Sequence, residues 1–268
     1  MSDLARRPPP PIPLTVITGF LGAGKSTLLN RLLKDPALSD TVVIINEFGE
    51  IGLDHLLVEQ ADGDMMLMSS GCLCCTIRGD LITTLEDLLK RRDNHRMTPF
   101  KRVVIETTGL ADPAPVLHTI MYHPYLLMRF RLDGVVTLVD SVNGAHTLDA
   151  HAEAVKQAAV ADRIVLTKTD MPEGAERAPS LRARLHALNP SAVILDAAKG
   201  EASAAALLNL GLFDPETKIP DVKRWLKAEA FHEHDPDHHH HDHHGHDHHH
   251  HHDHHGHDHG AQDPHDVN

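Results

Sequence analysis

Gly19-Phe20-Leu21-Gly22-Ala23-Gly24-Lys25-Ser26 has the spacing G-x-x-x-x-G-K-[ST], and it stands between a β-branched run and a predicted helix. That context points to phosphate binding. Glycines let the backbone N–H groups of Gly22, Ala23, Gly24, Lys25, Ser26 and Thr27 converge on phosphate oxygens, and the following helix adds the positive end of its dipole. Lys25 then reaches the β and γ phosphates and the Ser26 hydroxyl coordinates Mg²⁺. Two later segments supply complementary chemistry. In VVIETTG, Glu106 ends an apolar run, where a carboxylate can hold Mg²⁺ or its water, and Gly109 can offer its N–H to the γ-phosphate. Thr167-Lys168-Thr169-Asp170 reads as a variant of the N-K-x-D base-recognition element. Asp170 can accept both the N1–H and the exocyclic amine of guanine, a donor pair adenine lacks. Lys168 would lay its aliphatic stem along the base, and the Thr167 hydroxyl, standing in for the usual Asn, can still bond locally. On these residues Lys25, Ser26 and Glu106 carry the catalytic assignment, and the expected ligands are GTP or GDP with Mg²⁺.

A third chemistry is concentrated in SSGCLCCTIRGDL. All three cysteines of the chain, Cys72, Cys74 and Cys75, lie within four positions, which cannot close loops as a disulfide framework does. Reduced thiols in a cytoplasmic setting fit better. Thiolates are strong ligands for Zn²⁺ and other soft or borderline ions. In a strand the adjacent Cys74 and Cys75 would point oppositely, so only two thiolates bind together unless the loop bends. An open or borrowed fourth position suits transfer of the metal better than storage. Burial of three small apolar side chains is the competing reading.

The elements that must position these groups are legible as short apolar runs alternating with amphipathic stretches between residues 14 and 213. Strands are predicted at 14–18, 41–46, 101–107, 134–140, 163–168 and 191–195, with the near-continuous Val/Ile content of strands buried on both faces. Helices are predicted after Lys25, ending before Pro36, over about 78–92, and near 114–122, 147–160, 178–188 and 202–210. The fold class is therefore α/β, a P-loop NTPase with a mostly parallel sheet flanked by helices. A flexible Pro-rich segment, 1–13, precedes the nucleotide domain of 14–213, and a linker with a short amphipathic helix, 214–231, leads to a tail at 232–268.

The tail dominates the composition. The chain has 26 histidines and a formal charge of -13; residues 232–268 hold 19 of the histidines and nine of the acids with no Lys or Arg. HHHHDHHGHDH at 238–248 recurs at 249–259, with a regular Asp and Gly spacing that a plain affinity tag lacks. With almost no apolar residue the tail should be disordered without metal. Its histidines, His238 to His259, are mostly neutral near neutral pH and available as ligands. At roughly four ligands per ion the 19 histidines of 232–268 could hold on the order of four or five ions. As a flexible chain the tail would span about 30 to 35 Å, enough to load the cysteine site. A merely solvating acidic tail is the duller alternative.

Basic residues are neither in excess nor clustered beyond short groups such as Lys90-Arg91-Arg92, which excludes an ordinary nucleic-acid binder. No uninterrupted apolar run approaches the ~20 residues that span a bilayer. Arg6-Arg7 before an apolar stretch mimics a secretory signal, but five prolines between positions 8 and 13 spoil the helix it requires.

GFLGAGKST, NEFGEIGLD, GCLCC, ETTGLADP and TKTD, in this order, closely resemble the CobW-type metallochaperone GTPases, relatives of the nickel-inserting GTPases of urease and hydrogenase maturation. The resemblance covers roughly residues 14 to 213. It implies that Cys72, Cys74 and Cys75 bind a cargo metal, Zn²⁺ first, with Co²⁺ or Ni²⁺ also compatible. It implies too that Glu47-Phe48-Gly49-Glu50 senses nucleotide, with Glu47 or Glu50 as added oxygen ligands. A client metalloprotein would receive the metal, and a homodimer is compatible with the resemblance. Relatives generally continue into a smaller C-terminal domain, whereas this chain stops at Asn268, so recognition assigned to that domain does not carry over. A metal store built on the tail, or a P-loop kinase or ATPase using ATP, are the competing functions.

Overall fold

The computed structural model describes residues 9–45, 66–69 and 77–232. Glu47, Glu50, Cys72, Cys74, Cys75 and the tail histidines His238 to His259 lie outside the described residues. Within them, seven strands form one sheet in the order β3-β2-β4-β1-β5-β6-β7, every pairing parallel. The strands are β1 Ile12–Gly19, β2 Thr41–Ile45, β3 Met66–Ser69, β4 Arg102–Glu106, β5 Phe130–Asp140, β6 Arg163–Thr167 and β7 Val193–Asp196.

Both faces of the sheet are covered, and the period of two along each strand divides its side chains between them. Leu14, Val16, Val42, Ile44, Val103 and Ile105 face one apolar cluster. Ile17, Val43, Ile45 and Val104 face the other, with Leu28, Leu29 and Leu32 of helix α1, Lys25–Leu32. Each fully buried aliphatic side chain of this kind stabilises the fold by roughly 1.5–3 kcal/mol. The first face carries α2 Ile77–Asp93 and α3 Ala114–Tyr122 through Leu85, Leu88, Leu117 and Ile120. A short α4, Pro124–Arg129, follows.

Several boundaries differ from those expected. The helix predicted over 147–160 is two, α5 Gly144–Ala150 and α6 Ala152–Val160. His151 between them is extended, with φ -133° and ψ 115°, and its ring stacks on Phe20 at 4.4 Å between centroids. Helix α7 runs from Pro172 to Leu188, longer than predicted, because Pro172 sits at its first turn, where a missing N–H costs nothing. Helix α8 is only Ala204–Leu207; Ser203 caps it and Leu208 is already extended. Strand β3 was not predicted, since Met66-Leu67-Met68-Ser69 lacks the β-branched residues that mark the other strands. Helix α9, Pro220–His232, is the short helix expected in 214–231, running one residue further, and its Val222 and Leu226 join the same apolar cluster as Leu14 and Leu117.

Candidate nucleotide site

Gly19, Glu106, Asp140, Thr167 and Asp196 are the last residues of β1, β4, β5, β6 and β7, so the parallel sheet brings them to one edge. Ligands of open α/β sheets bind beyond this edge. The phosphate loop leaves it from the central strand. Gly22 and Gly24 have φ of 72° and 91°, the left-handed region that glycine occupies without strain. Gly24 opens α1 without any side-chain cap, leaving first-turn N–H groups for a ligand. The Lys25 ammonium donates to the carbonyl oxygens of Gly19 at 2.8 Å and Phe20 at 3.4 Å, folding back over the loop. Ser26 and Thr27 are exposed at the start of α1.

The loop after β4 presses on this one. Glu106, only 4% exposed, ends β4 in register with Ile17. Thr107 ties the two strands together: its N–H donates to the Ile17 carbonyl at 2.9 Å and its hydroxyl to that of Thr18 at 2.8 Å. Gly109 touches the phosphate loop so closely that a Cβ there would lie 2.7 Å from the Leu21 nitrogen. Leu21 and Leu110 beside it remain exposed, at 59% and 51%.

On the other flank, the Thr167 hydroxyl donates to the Ala23 carbonyl at 2.8 Å, joining the base motif directly to the phosphate loop. Lys168 sits at φ 59°, unusual for a residue with a side chain and a conformation tolerated mainly where surroundings enforce it. Its ammonium donates to the Asp140 carboxylate at 2.7 Å. Asp140 also accepts from the Asn143 amide at 3.0 Å and the Val142 N–H at 2.7 Å. Burial would raise the Asp140 carboxyl pKa, but the bonds from Lys168, Asn143 and Val142 outweigh it and hold the pKa below its ordinary value. Thr169 donates to Asp196 at 2.5 Å. Asp196 is likewise depressed, burial being outweighed by the bonds from Thr169 and the backbone N–H groups of Ala198 and Lys199. Asp170 is exposed, clear of these bonds.

The structure thus brings Gly22 to Thr27, Glu106, Gly109, Thr167, Lys168 and Asp170 to one edge. Asp140, Asn143, Asp196 and Gln157 of α6 were missed from the sequence. One signal was available for two of them: GVVTLVD and SAVILD each end an apolar run on an acid, as VVIE does. A cavity beneath the phosphate loop is lined by Phe20, Ala23, Asp140, Asn143, Gln157 and Lys168. Among the described residues, no group of three or more His, Cys, Asp or Glu is placed to hold a metal, and no helix is long and apolar enough to cross a membrane.

A parallel sheet with a glycine-rich phosphate loop between its central strand and the next helix, and a base motif two strands away, defines a P-loop nucleotide-binding fold. The family profile described as CobW/HypB/UreG, nucleotide-binding domain, matches residues 13–196, and the chain belongs to this family. It is 38% identical to the zinc chaperone YjiA of Escherichia coli over 213 residues, 80% of this chain and 66% of that protein. It is 33% identical to the zinc chaperone CobW of Pseudomonas aeruginosa, over 74% of this chain and 60% of that protein. The chain thus spans slightly less than two thirds of these two relatives. The crystal structure of Zn(II)-bound YjiA GTPase from E. coli superposes with a TM-score of 0.61 at 34% identity, covering 81% of this chain and 70% of that one.

Proposed function

We propose that the chain is a GTP-hydrolysing metallochaperone that binds Zn²⁺ as cargo at Cys72, Cys74 and Cys75 and couples nucleotide state to delivery. The observation that carries the reading is the 2.8 Å bond from Thr167 to Ala23, which joins a guanine-type base motif to a phosphate loop in a chain of this family. The names of the relatives, zinc chaperones and a Zn(II)-bound GTPase, support Zn²⁺ over Co²⁺ or Ni²⁺. The recipient would be a client metalloprotein in the cytoplasm, and the working unit is open to a homodimer. The nucleotide body of 14–213 would carry the switch and the tail of 232–268 would gather metal.

The residues present suit Mg²⁺: the buried Glu106 carboxylate and the Ser26 hydroxyl are hard oxygen donors. When bound, the ion neutralises charge on the β and γ phosphates. The rest is positioning. Loop N–H groups and Lys25 hold the phosphates, Gly109 meets the γ-phosphate, and Asp170 selects guanine. Water attacks the γ-phosphorus as the bond from that phosphorus to the β,γ-bridging oxygen breaks; GDP leaves with the electron pair, and the water's protons pass to the phosphate formed and to solvent. No side chain is assigned as general base. Loss of the γ-phosphate contact would release Gly109 and the segment of Glu47 and Glu50, as nucleotide switches do generally.

GTP and ATP turnover and Zn²⁺ affinity should be measured on the intact chain, on a chain lacking 232–268 and on the triple Cys72→Ala, Cys74→Ala, Cys75→Ala variant. A GTP preference with a cysteine-dependent Zn²⁺ site that responds to nucleotide is expected. Metal affinity that vanishes with the tail and survives loss of the cysteines would instead establish a metal store.

A further inference from the structure

Two consecutive residues of α6 grip the loop that follows Glu106. Gln157, 1% exposed, donates through its side-chain amide to the carbonyl oxygens of Gly109 at 3.1 Å and Ala111 at 3.0 Å. The Gln157 carbonyl in turn accepts from the Thr137 hydroxyl at 2.6 Å, fixing this turn of α6 to β5. Lys156 points a different way, since neighbouring helix positions diverge by about 100°. Its ammonium pairs with the Asp112 carboxylate, whose other oxygen accepts from the Ala114 N–H at 2.9 Å at the start of α3. The same ammonium stands 5.6 Å from the ring centroid of Trp225 on α9, the helix that leads into the histidine-rich tail. Gly109 is therefore wedged, with Leu21 of the phosphate loop against one side and the Gln157 amide on its carbonyl.

We propose that Gln157 and Lys156 are positioning residues that set the loop 109–112 for the γ-phosphate and carry its displacement to Trp225 and α9. The inference rests on the GTPase reading above, because Gly109 must meet a γ-phosphate for the pair to sense one. The N–H and carbonyl of Gly109 lie in successive peptide units joined at one Cα, and with Leu21 against that Cα the N–H turns toward a ligand only with a shift of the carbonyl held by Gln157. That disturbance is a differential interaction between triphosphate and diphosphate states, which a switch requires. Lys156, one residue along the same helix, passes it to Trp225, so the nucleotide state reaches the helix bearing the tail.

The chain contains one tryptophan, so its emission reports this position alone. The test uses the full chain with Mg²⁺ and either GDP or a non-hydrolysable GTP analogue. Emission of Trp225 is expected to differ between the two states, and Lys156→Met is expected to erase the difference. Gln157→Met, similar in shape without donors, is expected to lower the ratio of triphosphate to diphosphate affinity about tenfold. Gln157→Glu, which turns an acceptor toward two carbonyls, is expected to lower it further. A role in packing alone would leave both variants at the wild-type ratio. Should the buried Gln157 variants fail to fold, wild-type and Lys156→Met emission still decide the matter. Identical emission in both states, or a difference that survives Lys156→Met, overturns the proposal, as does a wild-type ratio in Gln157→Met. A wild-type chain that bound neither nucleotide would bring down the GTPase reading as well, whereas tight guanine binding with a silent Trp225 would overturn this proposal alone.

Discussion

The loop after β4 and the loop after β6 lean on the same phosphate loop from opposite sides, but they are held in different ways. Thr167 to Asp170 is fastened by Thr167 to Ala23 of the phosphate loop, and by Lys168 and Thr169 to Asp140 and Asp196, the residues that end β5 and β7. Thr107 to Asp112 is fastened at its root to β1, then beyond Gly109 to α6, by Gln157 and Lys156. A clamp built on strand ends is rigid and suits recognition of a base that does not change during the reaction. A loop hung from one helix can shift with that helix, which suits the phosphate that does change. Thr167, 8% exposed, adds to the rigidity of that clamp, because leaving a buried polar group unpaired is costly.

The difference can be broken from either side. Lys25→Ala removes the ammonium of the phosphate loop on which both sides lean and should weaken GTP and GDP binding about 100-fold by calorimetry, the upper range for a bond to a charged group. Asp170→Asn should lower the preference for GTP over ATP about tenfold in competition binding, touching only the base side. If it instead altered the triphosphate to diphosphate ratio, the two sides would not be separate. Thr167→Val should cost about 1 kcal/mol, seen as a lower melting temperature and a slightly weakened affinity for both nucleotides.

Asp140 offers a finer probe through pH. Its folded-state pKa is depressed, so its contribution to stability is complete above the ordinary carboxylate value of about 3.9 and is lost as pH falls through the lower folded value. Asp140→Asn should therefore melt below wild type at neutral pH, with the gap closing below about pH 4. A gap that persisted unchanged into acid would mean that the Lys168 to Asp140 pair does not hold the base side.

Much of the site was legible because it is written at fixed spacing. The phosphate loop, Glu106 with Gly109, and the TKTD turn each compress their chemistry into a few consecutive residues. Gln157, Asn143 and Asp140 escaped because their meaning is tertiary: Gln157 bonds residues 46 and 48 positions away, and nothing local distinguishes it from any polar helix residue. The sheet was legible wherever Val and Ile ran together and hidden at Met66–Ser69, where they do not. The single helix expected over 147–160 broke at His151, where the chain turns and the ring packs on Phe20, a contact no periodicity encodes.

On the proposed function, nucleotide state would govern metal held by three cysteines. Co²⁺ bound to thiolate absorbs in a charge-transfer band that histidine and carboxylate ligands do not produce, so it reports the cysteines in the intact chain despite the tail. Titrating Co²⁺ with GDP and with a non-hydrolysable GTP analogue should give bands of different affinity, both lost in the Cys72→Ala, Cys74→Ala, Cys75→Ala variant. A band of equal affinity in both nucleotide states, or one that outlasts the cysteines, would contradict the account.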